Sequence, residues 1–81
     1  MKIKIGDYDR LKEFVGLVKD FNSDLFLQHG SYVIDAQSIM GILSISFDTV
    51  LNLNIIEKFP GEKERLYNLM KEHCYLVEWR E

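Results

Sequence analysis

Asp35-Ala36-Gln37-Ser38-Ile39-Met40-Gly41-Ile42-Leu43-Ser44 joins a serine able to cap a helix to a short run that is apolar on more than one face. A serine hydroxyl at such a position accepts from one of the amides that a first helical turn leaves free. Ile39, Met40, Ile42 and Leu43 then allow one side of the turn to rest on a sheet while the other stays exposed as a docking surface.

The flanks on both sides are strands. Upstream, Asn22-Ser23-Asp24 is a turn cluster, after which Leu25 and Leu27 alternate with Phe26 and Gln28 up to His29-Gly30-Ser31. Tyr32-Val33-Ile34-Asp35 follows, and the two runs read as a β-hairpin. Downstream, the short helix is expected to end near Ser44 to Ser46. Residues 49–56 then place Leu51, Leu53 and Ile55 on one face and Asn52 and Asn54 on the other, the clearest period-two signal in the chain.

Toward the N-terminus, Ile3 and Ile5 alternate with Lys2 and Lys4 as a short strand, and Gly6-Asp7 turns the chain. Asp7 or Asp9 caps a helix over about residues 8–21, in which Leu11, Phe14, Val15, Val18 and Phe21 recur at helical spacing. Gly16 within it weakens the helix by roughly 1 kcal/mol relative to alanine, which fits either close packing or simple tolerance. Toward the C-terminus, Pro60 with Glu62 and Glu64 suits a final helix N-terminus, with Leu66, Leu69, Met70 and His73 facing inward. The tail Tyr75-Leu76-Val77-Glu78-Trp79 reads equally as helix extension, extended arm or self-association surface.

The expected architecture is therefore α+β: a four-stranded antiparallel sheet covered on one face by three helices, in the order β-α-β-β-α-β-α. With 81 residues, 47% of them hydrophobic, there is room for a single domain over 1–81 with one small core. The lone Cys74 forms no internal disulfide, and with His29 and His73 far apart no metal-ligand spacing exists, so neither metal nor cofactor is expected. The apolar runs are too short to span a bilayer and Met1-Lys2-Ile3-Lys4-Ile5 is unlike a signal peptide, which points to a cytoplasmic protein off the membrane. A net charge of −3 with dispersed Lys and Arg supplies no basic stripe for nucleic acid, leaving protein partners.

This element order, with Ser38-Ile39-Met40-Gly41-Ile42-Leu43-Ser44 before the last strand, resembles HPr, the small phosphocarrier of the bacterial sugar phosphotransferase system. The resemblance runs without an obvious gap from Phe21 to Ile55 and implies the HPr-like open-faced sandwich. In HPr the carrier histidine lies in Gly-Ile/Leu-His-Ala-Arg-Pro at the start of the first long helix, where free amides and the arginine stabilise the phosphoryl group. Counting back from Phe21, this chain has Gly6-Asp7-Tyr8-Asp9-Arg10 there, with Asp7 at the histidine position and Asp9 at the arginine position. Two carboxylates repel a phosphoryl donor, and no histidine precedes His29, so Asp7, Asp9 and Arg10 form a degenerate carrier site and no catalytic residue is expected. An aspartyl phosphate on Asp7 would need a divalent cation and a lysine or hydroxyl partner; a helix cap is the plainer role.

His29 is expected in the hairpin turn, and His73 and Cys74 as partly buried helix-end residues rather than a Cys-His pair, since adjacent helical positions diverge. In HPr proteins of Gram-positive type, the serine matching Ser38 is phosphorylated by a dedicated kinase and the product binds a transcriptional repressor. The resemblance thus implies a phosphorylation site at Ser38, with N-capping as its other reading, and a partner-docking patch of Ile39, Met40, Leu43 and Phe47. The implied partners are an HPr kinase and a transcriptional regulator or phosphotransferase components, bound to a monomer or weak homodimer. The expected function is a non-catalytic regulatory module of carbon catabolite regulation; the alternatives are a divergent phosphocarrier and a purely structural, self-associating module.

Overall fold

The structure is a computed structural model that describes residues 1–43 and 48–77, with only the backbone of Ile39 and Met40. The order is β1 (Lys2–Lys4), α1 (Tyr8–Val18), β2 (Asp24–His29), β3 (Tyr32–Asp35), α2 (Ile39–Ile42), β4 (Val50–Ile56) and α3 (Glu62–Glu72). The strands form one antiparallel sheet in the order β1-β4-β2-β3. Within the described residues α2 is a single turn between two helices of eleven residues; its expected continuation toward Ser44 to Ser46 lies outside them.

Alternation decides which face is buried. Ile3, Leu25, Leu27, Leu51 and Leu53 point into a core with Leu11, Phe14 and Val18 of α1 and Leu66 and Met70 of α3. Each such side chain contributes about 1.5–3 kcal/mol on leaving water. The alternate positions Lys2, Lys4, Asp24, Gln28, Val33, Val50, Asn52 and Asn54 lie on the opposite, exposed face. Between His29 and Tyr32 the hairpin turns on Gly30-Ser31, and Gly30 takes the left-handed φ of 61° that a two-residue loop of this kind demands. His29 is accordingly the last residue of β2, half-buried and beside the turn rather than in it.

Two further expectations, the end of α1 and the burial of Cys74, need correction, and one open choice, at Gly16, is decided. α1 ends at Val18, not Phe21, because the chain turns through Lys19 and Asp20 so that the Phe21 amide donates to the Val18 carbonyl at 3.2 Å. Phe21 still reaches the core from that turn. Gly16 is exposed, and a Cβ there would meet nothing within 4 Å, so close packing is not its reason. Cys74 is exposed rather than partly buried, with a left-handed φ of 63° just past α3.

That conformation is the turning point of the C-terminus. The amides of Cys74 and Tyr75 donate back to the carbonyls of Lys71 at 3.2 Å and Met70 at 2.8 Å, the paired bonds of a Schellman ending. Tyr75 is thereby folded under α3 and fully buried, and the chain runs out along β1. Lys4 donates to the Tyr75 carbonyl and Val77 to that of Lys2, both at 2.9 Å, around an antiparallel bridge between Ile3 and Leu76. Of the three readings of the tail, residues 75–77 adopt the extended arm; Glu78 and Trp79 lie outside the described residues.

Candidate functional site

Ser38 closes the step from β3 into α2. The Ala36 amide still pairs with Leu25 at 3.0 Å, after which Asp35 Oδ1 accepts from the Gln37 amide at 2.8 Å and the Asp35 carbonyl from that of Ser38 at 3.2 Å. This local turn is the one aspartate favours, because its carboxylate substitutes for a backbone carbonyl two residues on. Ser38 Oγ then accepts from the Gly41 amide at 3.2 Å and its carbonyl from Ile42 at 3.1 Å, so it is the N-cap of α2. Gln37 anchors the turn to α1, its Nε2 donating to the carbonyls of Val18 at 2.8 Å and Phe21 at 3.1 Å.

Ser38 is half-buried, Ile42 points into the core and Leu43 is 43% exposed. The turn therefore presents one apolar side outward and one inward, as amphipathic spacing predicts. The side chains of Ile39 and Met40, and Phe47 as a whole, lie outside the described residues.

The residues that the resemblance reads as a degenerate carrier site lie at the start of α1, a helix roughly 16 Å long at 1.5 Å per residue, whose last residue, Val18, is the one that Gln37 holds. Asp7 has extended backbone and its Oδ1 accepts from the Arg10 amide at 2.9 Å, making it the N-cap of α1. Asp9 faces water, 4.0 Å from Lys12, an exposed pair of little energetic consequence. Among the described residues Arg10 forms no ion pair with either carboxylate. Its guanidinium lies over the Tyr75 ring at 4.1 Å and donates to the carbonyls of His73 at 2.9 Å and Cys74 at 3.2 Å. The Tyr75 hydroxyl sits 2.8 Å from the Arg10 carbonyl and 2.6 Å from Glu13 Oε1; burial first, and then this carboxylate, hold its pKa well above the ordinary tyrosine range. His73 and Cys74 thus serve the corner through their backbones.

A polar tie at the start of α3 has no counterpart among the expected sites. The Glu62 carboxylate accepts from the Ser23 hydroxyl and, at 3.2 Å, from the Asn22 amide, while Ser23 Oγ accepts from Lys58 at 2.9 Å. The serine hydrogen bond above all, helped by the backbone amides and by Arg65 at 3.8 Å, holds the Glu62 carboxyl below its ordinary pKa. A glutamate in a first helical turn suggests only a dipole interaction with solvent; that it meets a turn 39 residues away is a tertiary fact.

A cleft of about 520 Å³ lined by Met1, Glu57, Gly61, Lys63, Glu64 and Tyr67 shares no residue with either corner. Among the described residues no cluster of His, Cys, Asp or Glu is placed to hold a metal, and no helix is long and apolar enough to cross a membrane.

This geometry is matched by solved structures. HPr-C-His from Thermoanaerobacter tengcongensis superposes with a TM-score of 0.71 at 22% identity, over 98% of this chain and 97% of that one. Crh, the catabolite repression containing protein of Bacillus subtilis, whose crystal structure is an intertwined dimer with a swapped domain, superposes with a TM-score of 0.63. It shares 29% identity over 94% of this chain and 90% of its own. The chain is HPr-like. No protein-family model matches the sequence and no curated protein does so either, so the HPr-like assignment comes from three-dimensional structure together with the Ser38 segment. In this HPr-like protein Ser38 and Asp7 cap different helices at opposite ends of α1, and the structure does not bring the two corners together.

Proposed function

We propose that this HPr-like protein is a regulatory module that acts by being bound, switched at Ser38, and that it does not relay phosphate through the start of α1. The observation that carries the reading is the bonding at that start. Asp7 spends its carboxylate on the helix cap, and the adjacent Arg10 spends its guanidinium on Tyr75 and the end of α3. A phosphoryl group there would face carboxylates without a cation turned toward it. The likeness to Crh, a catabolite repression containing protein, supports a place in carbon catabolite regulation rather than in sugar transport.

The sequence around Ser38 indicates what its partner looks like. Between Lys19 and Lys58 there is no lysine or arginine, while Asp20, Asp24, Asp35, Asp48 and Glu57 fall in that stretch. A phosphoserine adds about −1.5 to −2 charge to this acidic segment, and the neighbouring sequence offers no basic side chain to neutralise it. The complementary surface is a basic one on another protein, with apolar contact supplied by Leu43. The intertwined Crh dimer supports a weak homodimer for this chain as well.

Incubation with an HPr kinase and ATP, and separately with phosphoenolpyruvate and the general phosphotransferase enzyme, tests the reading by intact mass. One phosphate from the kinase alone, absent in Ser38→Ala, is the expected result. Acid-labile phosphate from phosphoenolpyruvate would establish a carrier instead.

A further inference from the structure

The sheet has helices on one face only, and the other face is exposed. Its rows follow from the strand register. Lys2, Asn52, Gln28 and Val33 lie in one row across β1-β4-β2-β3, with Asn54, Phe26 and Asp35 in the row on one side and Lys4 and Val50 on the other. Val33 is 59%, Ile56 57% and Val50 40% exposed, so three branched apolar side chains stand in water on a face whose centre is the amides of Asn52 and Gln28.

The charges divide across the face, with Lys2 and Lys4 on β1 and Asp24 and Asp35 at the far ends of β2 and β3. Lys4 is on β1 at the hairpin end of the sheet; Asp35 is on β3 at the far end, exposed, with Oδ1 accepting from Gln37. From β1 to β3 is roughly 14 Å at the usual strand spacing, and from the Val50 row to the Asn54 row roughly 13 Å along the strands. The face is thus nearly square. A two-fold axis lying between two such faces, perpendicular to the Lys4–Asp35 diagonal, places Lys4 of each copy over Asp35 of the other and Val50 over Val33. On a square face that operation crosses the strands at close to 90°, one of the two orientations in which sheets pack.

We propose that the open face of this sheet is a self-complementary surface that pairs with a second copy of the chain, strands crossed, through Lys4–Asp35 and Val50–Val33 contacts. The buried patch is well under the ~800 Å² per partner of stable complexes, so the pair is weak and exchanges rapidly. It involves no swapped element and touches the Ser38 turn only at Asp35, and it does not require the regulatory reading.

The test is a dilution series of the intact protein from millimolar to low micromolar, followed by amide NMR and sedimentation. Amides of Gln28, Val33, Val50 and Asn52 shift with concentration while those of α1 and α3 do not, and added salt weakens the pairing. Lys4→Glu sets like charges at both corners and raises the dissociation constant about five- to tenfold, two exposed ion pairs being lost together. Adding Asp35→Lys to Lys4→Glu reverses both corners and restores the constant to within about twofold, as expected for coupled sites. The wild-type dilution stands even if Asp35→Lys disturbs the turn at Gln37. A chain monomeric at millimolar concentration, an indifferent Lys4→Glu, or a slowly exchanging dimer with its changes confined to β1 and residues 75–77 would each overturn the proposal.

Discussion

α3 and α2 are held to different degrees by distant sequence. α3 is tied at both ends to distant sequence: Glu62 at its start grips the Asn22-Ser23 turn, and at its finish Arg10 reaches back over the carbonyls of His73 and Cys74 while Tyr75 packs beneath. α2 is one turn, begun by the serine cap, an aspartate turn two residues long and the amide of Gln37. Bonds between distant segments stabilise the globule as a whole; α2 shares in them through Gln37 on the Val18 and Phe21 carbonyls, while the bonds within its own turn are ones that a modification or a partner can rebuild at small cost. For the regulatory role proposed above, the segment held largely by bonds within its own turn is the one suited to change.

The contrast breaks most decisively at Tyr75. Replacing it with alanine removes a fully buried ring that lies edge-on to Phe14 at 5.6 Å and under Arg10 at 4.1 Å. Urea titration is expected to show a loss of about 3–5 kcal/mol, most of the stability of a domain this small, and a milder result would mean that residues 75–77 are an ornament on the fold.

Acid offers a second and graded way to probe the clamp. Glu62 in the folded protein has a pKa below its ordinary 4.5, so its charged form favours folding above that value, and the contribution drains away as the pH falls through the folded pKa. The urea midpoint is therefore expected to drop below pH 4.5 in the wild type, with a flatter profile in Glu62→Gln; parallel profiles would assign the acid sensitivity to other carboxylates.

The smallest effect belongs to α2. Ser38→Ala removes only the cap on Gly41 and is expected to cost about 1 kcal/mol, read by the same titration. Hydrogen exchange would sharpen the comparison: protection is expected to fall at the Gly41 and Ile42 amides and to stay intact through α3. A loss that spread to α3 would erase the distinction between the two helices.

The elements were legible where periodicity is strong. Leu51 and Leu53 against Asn52 and Asn54 declare a half-buried strand, Gly30-Ser31 declares the hairpin, and Leu11, Phe14 and Val18 declare the buried face of α1. Ser38 as a cap was also legible, because capping is a matter of residues three apart. Phe21 misled, since a residue can bury its side chain from a turn and so imitate another helical position. Nothing local announced that Arg10 would reach carbonyls 63 and 64 residues on, or that Glu62 would find Ser23. Helical spacing places Cys74 at a partly buried helix end, whereas its left-handed backbone is what turns Tyr75 inward.

What this sequence determined by itself is the order of its elements and the identity of its caps, because those rest on the 2.0 and 3.6 residue periods and on bonds between near neighbours. Which polar side chains become structural ties was decided only when the strands took the order β1-β4-β2-β3 and brought chain segments distant in sequence within hydrogen-bonding reach. The same basic residue reads as part of a degenerate phosphate site along the chain and as a clasp on Tyr75 in space, because its partners are chosen by distance in three dimensions and not by position in the sequence.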